Sequence, residues 1–234
     1  LEEPAGAGAV IAVQLARLTG RNVLFFTALG RDAIGERSEQ RLRELGVEPV
    51  VAWRDKPSRR GISLMAPGGD RAITVIGERL MPTAEDNLGW ERLSDCDGVF
   101  VSATDRGGLR HARRAGILNA TPRLGLNVLQ QAAVQLDALI GSGLDPGEHV
   151  PDNVLDPPPG VRIATEGETG GVLIPGGRFD AVPLPGPMVE SYGCGDSFAA
   201  GVTAGLSAGW SIQQAVALGA RCGAACATRF GPYH

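Results

Sequence analysis

Hydrophobic positions along this chain follow two periods in turn, which predicts alternating helices and strands. The run AVIAVQLARLTG places Val10, Val13 and Leu18 near one face of a helix that ends at Gly20. The next run, NVLFFTALG, is short and wholly apolar, as in a strand covered on both faces. VFVSA at Val99–Ala103 is a second strand of that kind. Such alternation predicts an α/β fold with a largely parallel sheet.

Two segments depart from the alternation, and both predict hairpins. RRGISLMAPGGDRAITVIGE contains two β-like runs around the turn-rich tetrad Pro67–Asp70. This hairpin is either an edge structure without a role or a lid that excludes water from a cleft. TGGVLIPGGRFDAVPLP predicts a second hairpin at the edge of the sheet. We therefore expect one α/β domain over residues 1–234, with a β lid within about residues 48–80.

The C-terminal part predicts two consecutive helices. The first begins near Asp196 and ends near Gly209, where glycine is a common stop signal. The second starts at Ser211, which forms a capping-box pattern with the glutamine three residues later. Cys222 and Cys226 lie four residues apart on it, a spacing that suits small core side chains better than metal ligands.

Composition excludes several classes of function. The formal net charge of −4 provides no electrostatic footprint for nucleic acid or an anionic membrane. Lys56 is the only lysine, and its surroundings match neither a phosphate-binding P-loop nor the strand lysine of protein kinases. The four cysteines form no C-x-x-C pair and the three histidines are scattered, so no zinc site is expected.

The cysteine content also predicts the cellular compartment of the protein. Few cysteines in a chain of this size favour a reducing cytoplasm with free thiols. No signal peptide and no run of eighteen apolar residues is present. The chain starts at Leu1, close to a motif, and we expect a further N-terminal strand to precede it.

One short stretch, Gly193-Cys194-Gly195-Asp196, combines an anion site with an acid. Glycines before a helix expose backbone N–H groups, and the positive end of the helix dipole adds to their attraction for an anion. A carboxylate in such a site is unfavourable unless it takes a proton from a hydroxyl that attacks a phosphoryl group. The alternative is that Asp196 simply caps the helix after a glycine turn.

Several motifs resemble, in the right order, those of ribokinase-like (PfkB-type) sugar kinases. GCGDSFAAG resembles their G-A-G-D-x-F-x-x-G signature, with Cys194 in the alanine position. ALGRDAIGERSEQRLRELGVEP resembles the G-x-D-x-x-G segment, AGAGAVIAVQLARL the Gly-rich sugar-binding helix start, and ATEGETGGVLI the T-x-G-x-x-G turn near the nucleotide. The resemblance covers nearly the whole chain. It implies a ribokinase-like three-layer sandwich with a mostly parallel central sheet and a small β-hairpin lid.

The resemblance also implies roles for individual residues. Asp196 would be the catalytic base, with Gly193, Cys194 and Gly195 forming the anion hole. ATP with Mg²⁺ would be the phosphoryl donor, and a monovalent cation is a further candidate. The other residues are assigned by what they would contact: Thr165, Gly167, Gly170 and Ala220 for the nucleotide, Gly6, Gly8, Val10 and Asp32 for the acceptor, and Glu148 and Glu190 for cations. For Asp32, a helix-start cap is the alternative role.

The chain departs from the family pattern mainly in polar positions. Val10 occupies the place of an asparagine that hydrogen-bonds sugar hydroxyls, which valine cannot do. Glu190-Ser191-Tyr192 replaces the usual D-T-x of the monovalent-cation site, and Asp145-Pro-Gly-Glu148 is the nearest match to the metal-associated N-x-x-E. Ala220 stands where an asparagine often lies near adenine. The predicted base is kept, while the polar groups that recognise the sugar are fewer.

These observations favour an ATP-dependent kinase that acts on a hydroxyl of a sugar or sugar-like small molecule. A nucleoside kinase is one alternative, and a non-catalytic relative that binds a small ligand as a sensor is another. A nucleotide-binding oxidoreductase is disfavoured because no G-x-G-x-x-G follows a strand and opens a helix. Val10 predicts an acceptor less polar than ribose at one face, or else loose selectivity. Lid hairpins in the family often pair, so a homodimer through the lid is a further expectation.

Overall fold

Helices and strands alternate over most of the chain, as the hydrophobic pattern predicts. The computed structural model describes residues 2–65, 71–231 and 233, so the predicted turn at Pro67–Asp70 lies outside the described residues. The helices are α1 (Ala7–Thr19), α2 (Ala33–Glu44), α3 (Arg106–Ala112), α4 (Leu126–Ala132), α5 (Cys194–Ser207) and α6 (Ile212–Ala227). The strands are β1 (Val23–Gly30), β2 (Val47–Arg54), β3 (Arg60–Met65), β4 (Arg71–Ile76), β5 (Gly98–Val101), β6 (Ile117–Ala120), β7 (Ala138–Ser142), β8 (Val161–Thr165), β9 (Gly171–Ile174) and β10 (Gly177–Phe179).

The largest sheet has six strands in the order β10-β9-β8-β7-β6-β5. Neighbours from β5 to β8 are parallel, whereas β9 pairs antiparallel with both β8 and β10. The β9–β10 hairpin therefore lies at one edge of the sheet, where the sequence predicts it. Because parallel strands end at the same edge, the turns after β5, β7 and β8 meet at one side of the molecule.

Side chains of the central strands alternate between two apolar clusters, one on each face of the sheet. Ala138 and Ile140 of β7 pack in a cluster with residues of α1, α5 and α6, including Phe198. Leu139, between them in sequence, packs in a second cluster with residues of α3 and α4, including Leu109. Since successive side chains of a strand point to opposite faces, the sheet lies between two helical layers. This is the predicted three-layer arrangement.

Strand β1 differs from the expectation that it is buried on both faces. It pairs in parallel with β2 alone, in a separate two-stranded sheet, and most of its side chains are only half-buried. A cavity of about 790 Å³ lies between β1 and β5, lined by apolar side chains such as Phe25, Phe26 and Val99. In the part of the chain that the structure describes, β1 has only β2 as a partner and β5 has only β6.

The first predicted hairpin forms a small sheet of its own. β3 and β4 pair antiparallel, with Ile62 opposite Thr74 and Ser63 opposite Ile73. Several of its apolar side chains are exposed, among them Ile62, Leu64, Ile73 and Val75. Of the helices in the described ranges, none is long and apolar enough to cross a membrane.

Candidate functional site

The start of α5 carries the residues predicted to be catalytic. Gly193 has φ 79°, in the left-handed region that glycine adopts without strain, and it accepts a hydrogen bond from the Ser197 N–H at 2.7 Å. The helix begins at Cys194, and Asp196 lies in its first turn. The first amides of an α-helix have no carbonyl partner within the helix, and the positive end of the dipole lies here. Gly193, Cys194, Gly195 and Asp196 thus lie at one helix terminus.

The start of α1 lies next to this turn. Tyr192 accepts a hydrogen bond at its hydroxyl from the Gly6 N–H, at 3.0 Å. Gly8 is packed so closely that an added Cβ would lie 2.8 Å from the Phe25 ring and 3.0 Å from the Ser102 hydroxyl. Ser102 directly follows β5. The structure therefore brings Gly6 and Gly8 together with the start of α5 and with the carboxyl end of β5.

Val10, predicted on the acceptor side, lies elsewhere in α1. Its side chain is 0% exposed and packs in an apolar cluster with Val13, Leu42 and Val47. Because its side chain is fully buried among apolar groups, Val10 is a core residue in this structure.

Asp32 makes the contacts of a helix cap. Its carboxylate accepts hydrogen bonds from the Gly35 N–H at 2.8 Å, the Ser58 N–H at 2.7 Å and the Ser58 hydroxyl at 2.8 Å. These donors, the Ser58 N–H most of all, lower the pKa of Asp32 to about 2. Both carboxylate oxygens are engaged, and they join the start of α2 to the segment that enters the β3–β4 hairpin.

The residues predicted near the nucleotide lie at the end of β8 and on α6. The Thr165 hydroxyl donates to the Gly141 carbonyl of β7 at 3.3 Å. Gly167 and Gly170 bound the following 3₁₀ turn with φ 63° and 85°. A Cβ on Gly170 would lie 2.0 Å from the Phe179 carbonyl, so no larger residue fits there. Ala220 packs against the same core cluster as β8 and β9.

Glu148 and Glu190, the two residues predicted to bind cations, both accept hydrogen bonds from donors within the protein. Glu148 accepts from the Arg123 Nε at 2.6 Å and from the Ser142 N–H at 2.9 Å. Glu190 is buried and accepts from the Gly231 N–H. Within residues 2–65, 71–231 and 233, no group of three His, Cys, Asp or Glu side chains could hold a metal. Mg²⁺ commonly uses one or two carboxylates plus substrate phosphates, and Glu148 fits that pattern only together with a nucleotide.

Three groups near this site, Tyr192, Arg79 and Cys226, are not indicated by the sequence. Tyr192 joins the starts of α1 and α5 through its hydroxyl. Arg79 donates to the Ser102 carbonyl at 3.0 Å and to the Arg123 carbonyl at 3.4 Å, and burial lowers its pKa. The Cys226 thiol donates to the Tyr192 carbonyl at 3.3 Å, and the neighbouring Cys194 thiol lowers the pKa of Cys226 to about 7. The pairings join distant parts of the chain, and no local pattern indicates them.

Comparison with known proteins supports the fold and the resemblance. Residues 157–234, which include α5 and α6, match the family described as pfkB family carbohydrate kinase. No curated protein matches the chain in sequence.

Solved structures match over nearly the whole chain. The Thermotoga maritima ribokinase is 20% identical with a TM-score of 0.74, covering 98% of this chain and 82% of that chain. The Sinorhizobium meliloti adenosine kinase is 18% identical with a TM-score of 0.76, covering 98% and 79%. The Schistosoma mansoni adenosine kinase, in complex with 2-fluoroadenosine, is 12% identical with a TM-score of 0.78, covering 97% and 80%. At these identities the likeness shows the fold, which confirms the predicted ribokinase-like architecture.

Proposed function

We propose that this chain, which has the ribokinase-like fold and resembles the PfkB-type carbohydrate kinases, transfers the γ-phosphoryl group of ATP to a hydroxyl of a sugar or nucleoside. The observation that carries the proposal is the position of Asp196. It lies in the first turn of α5, directly after the Gly193 turn, with the start of α1 adjacent. A carboxylate at a positive helix end, beside amides that suit an anion, fits a base for phosphoryl transfer.

The chemistry assigned to these residues is a balanced proton and phosphoryl transfer. Asp196 accepts the proton of the attacking hydroxyl as its oxygen bonds to the γ-phosphorus and the bond from that phosphorus to the bridging oxygen of ADP breaks. The amides of the first turn of α5 stabilise the negative charge on the group in transfer. Mg²⁺, if bound with the nucleotide, would neutralise phosphate charge, and Glu148, which now accepts from Arg123 and the Ser142 N–H, would be the carboxylate that contacts it.

The remaining proposed contacts are those of the nucleotide and of the acceptor. The turn after β8, with Thr165, Gly167 and Gly170, would lie along the nucleotide. Gly6 and Gly8 would approach the acceptor. Gly6 donates to Tyr192 just before α5, and Gly8 packs against Ser102. The single domain would use the β3–β4 hairpin as its lid. Ribokinase and adenosine kinase match at similar TM-scores, so both acceptor classes belong to the proposal.

The first test is turnover by wild type and by Asp196→Asn. An assay that couples ADP release to a colour change, run over a panel of sugars and nucleosides, identifies the acceptor. Asp196→Asn should still bind ATP but lose turnover by about 10²-fold or more, the scale of general-base contributions. Asp55→Asn is a matched control, because that carboxylate is 93% exposed and pairs with the surface side chain of Arg31. Near-normal turnover in Asp196→Asn would contradict the assignment.

The same assay separates the proposal from its rival, a ligand-binding protein without catalysis. Calorimetry with ATP and with each panel member measures binding independently of turnover. A member that binds tightly and is never phosphorylated, with ATP present, would favour a sensor. Turnover that Asp55→Asn keeps and Asp196→Asn loses would favour the kinase.

A further inference from the structure

Two cysteines on different helices come together beside the proposed catalytic turn. Cys194 opens α5, and its carbonyl lies 3.1 Å from the position of a Cβ on Gly223 of α6. Gly223 and Cys226 are three residues apart on α6, so they share one face of that helix. The missing side chain at 223 lets the start of α5 approach this face closely. The Cys226 thiol lies within hydrogen-bonding distance of the Tyr192 carbonyl, two residues before Cys194, and the neighbouring Cys194 thiol lowers the pKa of Cys226.

Both thiols are also anchored on the segment that precedes α5. The Cys226 thiol donates to the Tyr192 carbonyl at 3.3 Å, and the Cys194 thiol lies 3.9 Å from the Glu190 carbonyl. Cys226 is only 6% exposed, whereas Cys194 is half-buried and reached by solvent. The other groups that influence the pKa of Cys226 are the Ser197 hydroxyl, which lowers it, and the carboxylates of Asp196 and Glu190, which raise it. The pair is therefore held in place from both helices and from the connecting segment.

We propose that Cys194 and Cys226 are an oxidation site, at which a mild oxidant such as hydrogen peroxide closes a reversible disulfide between α5 and α6. Each thiol loses its proton and the pair loses two electrons to form the S–S bond. The peroxide accepts both electrons and both protons and leaves as two molecules of water. A thiol reductant reverses the step by exchange, taking the two electrons back to the cysteines.

The consequence rests on the proposed function. A disulfide holds its sulfurs at about 2.05 Å, much closer than two thiols that are not bonded to each other, so closure must draw Cys194 towards α6. Gly195 and Asp196 directly follow Cys194 and move with it. Misplacement of reacting groups by about 1 Å can cost as much as 10²-fold in rate. We therefore expect oxidation to suppress phosphoryl transfer.

The first experiment tests the site without using activity. Wild-type protein is treated with hydrogen peroxide, the remaining thiols are alkylated, and the peptides are mapped by mass spectrometry without reduction. The expected result is a linked 194–226 peptide that has lost two hydrogen atoms and that dithiothreitol separates. Cys222→Ser should keep the link, while Cys226→Ser and Cys194→Ser should each abolish it. A link through Cys96 or Cys222, or intact thiols at 194 and 226 after treatment, would overturn the proposal.

The second experiment tests the consequence and uses the acceptor found in the turnover assay. Oxidised wild type should lose turnover by about tenfold or more and regain it with dithiothreitol. Cys226→Ala, on a helix position outside the catalytic turn, should be active and insensitive to peroxide, and Cys226→Ser provides a second variant if the alanine disturbs folding. Unchanged turnover in protein with the mapped disulfide would overturn the consequence. Absence of any turnover would bear on the proposed function, while the peptide map still decides the disulfide.

Discussion

At the scale of single residues, the conformation of Gly193 decides where the proposed base stands. Its φ of 79° turns the chain so that α5 begins at the next residue, with Asp196 in the first turn. A residue with a Cβ is strained in that region of backbone space. Glycine at this position thus has a conformational reason, independent of any contact with a phosphate. The proposed anion hole and the turn that orients Asp196 depend on the same residue.

The buried position of Val10 changes the effect expected of its substitution by asparagine. The family resemblance implies that Val10→Asn would favour fully hydroxylated sugars. Because Val10 is 0% exposed among apolar neighbours, the amide would instead be buried without partners, at a cost of about 1–3 kcal/mol. We expect a lower midpoint of urea unfolding and an unchanged ratio of kcat/KM between ribose and 2-deoxyribose, or between the matching nucleosides.

The control for Val10 is Val10→Ala, which removes packing but buries no polar group. Comparing the two variants separates the cavity from the unpaired amide, since both lose the valine methyls. Unchanged stability of Val10→Asn together with a shift towards hydroxylated acceptors would place Val10 on the acceptor pocket after all.

At the scale of elements, the β3–β4 hairpin has exposed apolar side chains on both faces. Ile62 and Leu64 share one face, and Ile73 and Val75 share the other, because side chains alternate along a strand and paired residues point the same way. A two-stranded sheet exposed on both sides has little of its own to stabilise it. Its base is joined to the body through Ser58, which contacts Asp32 and the Gly30 amide. This construction suits an element that moves about a fixed base.

Ligand should order this hairpin if it is the lid. We expect the amides of β3 and β4 to gain protection from hydrogen exchange when a non-hydrolysable ATP analogue and the acceptor are both present. The β9–β10 hairpin at the sheet edge is an internal control and should change little. Equal protection of β3 and β4 with and without ligands would leave the hairpin with a structural role alone.

For the whole molecule, the two exposed apolar faces of the β3–β4 hairpin suggest self-association of two copies as well as closure over the cleft. One of its apolar faces can cover the cleft and the other can meet a second copy. We expect wild type to form a dimer in analytical ultracentrifugation. Leu64→Lys and Ile73→Lys, at side chains 64% and 47% exposed on opposite faces, should have different effects. One should dissociate the dimer, and the other should raise the KM for the acceptor.

The two substitutions control for each other, because each adds one lysine to the same small sheet. A monomer at every concentration of wild type would exclude the dimer. Loss of the dimer in both variants, with no change in KM, would assign both faces to association and none to closure.

Local pattern was sufficient for most of the elements and for the fold class. The helical period, the glycine stops and the Ser211 capping box predicted α1, α5 and α6, and the capping box is present with both of its hydrogen bonds. Two-residue periods between turn residues predicted both hairpins, and the six-stranded sheet is parallel where strands and helices alternate. These features follow from neighbours within a few residues of each other, which a sequence displays directly.

Tertiary packing decided what depends on residues far apart in the chain. A 3.6-residue period cannot distinguish the face of α1 that meets the core from one that lines a pocket, and Val10 lies in the core. The apolar run of β1 predicts burial but not which sheet provides it, and β1 pairs with β2 alone. The Gly6–Tyr192 hydrogen bond and the Cys194–Cys226 contact join segments that only the packing of α1, α5 and α6 brings together. A sequence pattern specifies which side chains prefer to be buried, whereas their partners are set by the shapes that fit together in the folded chain.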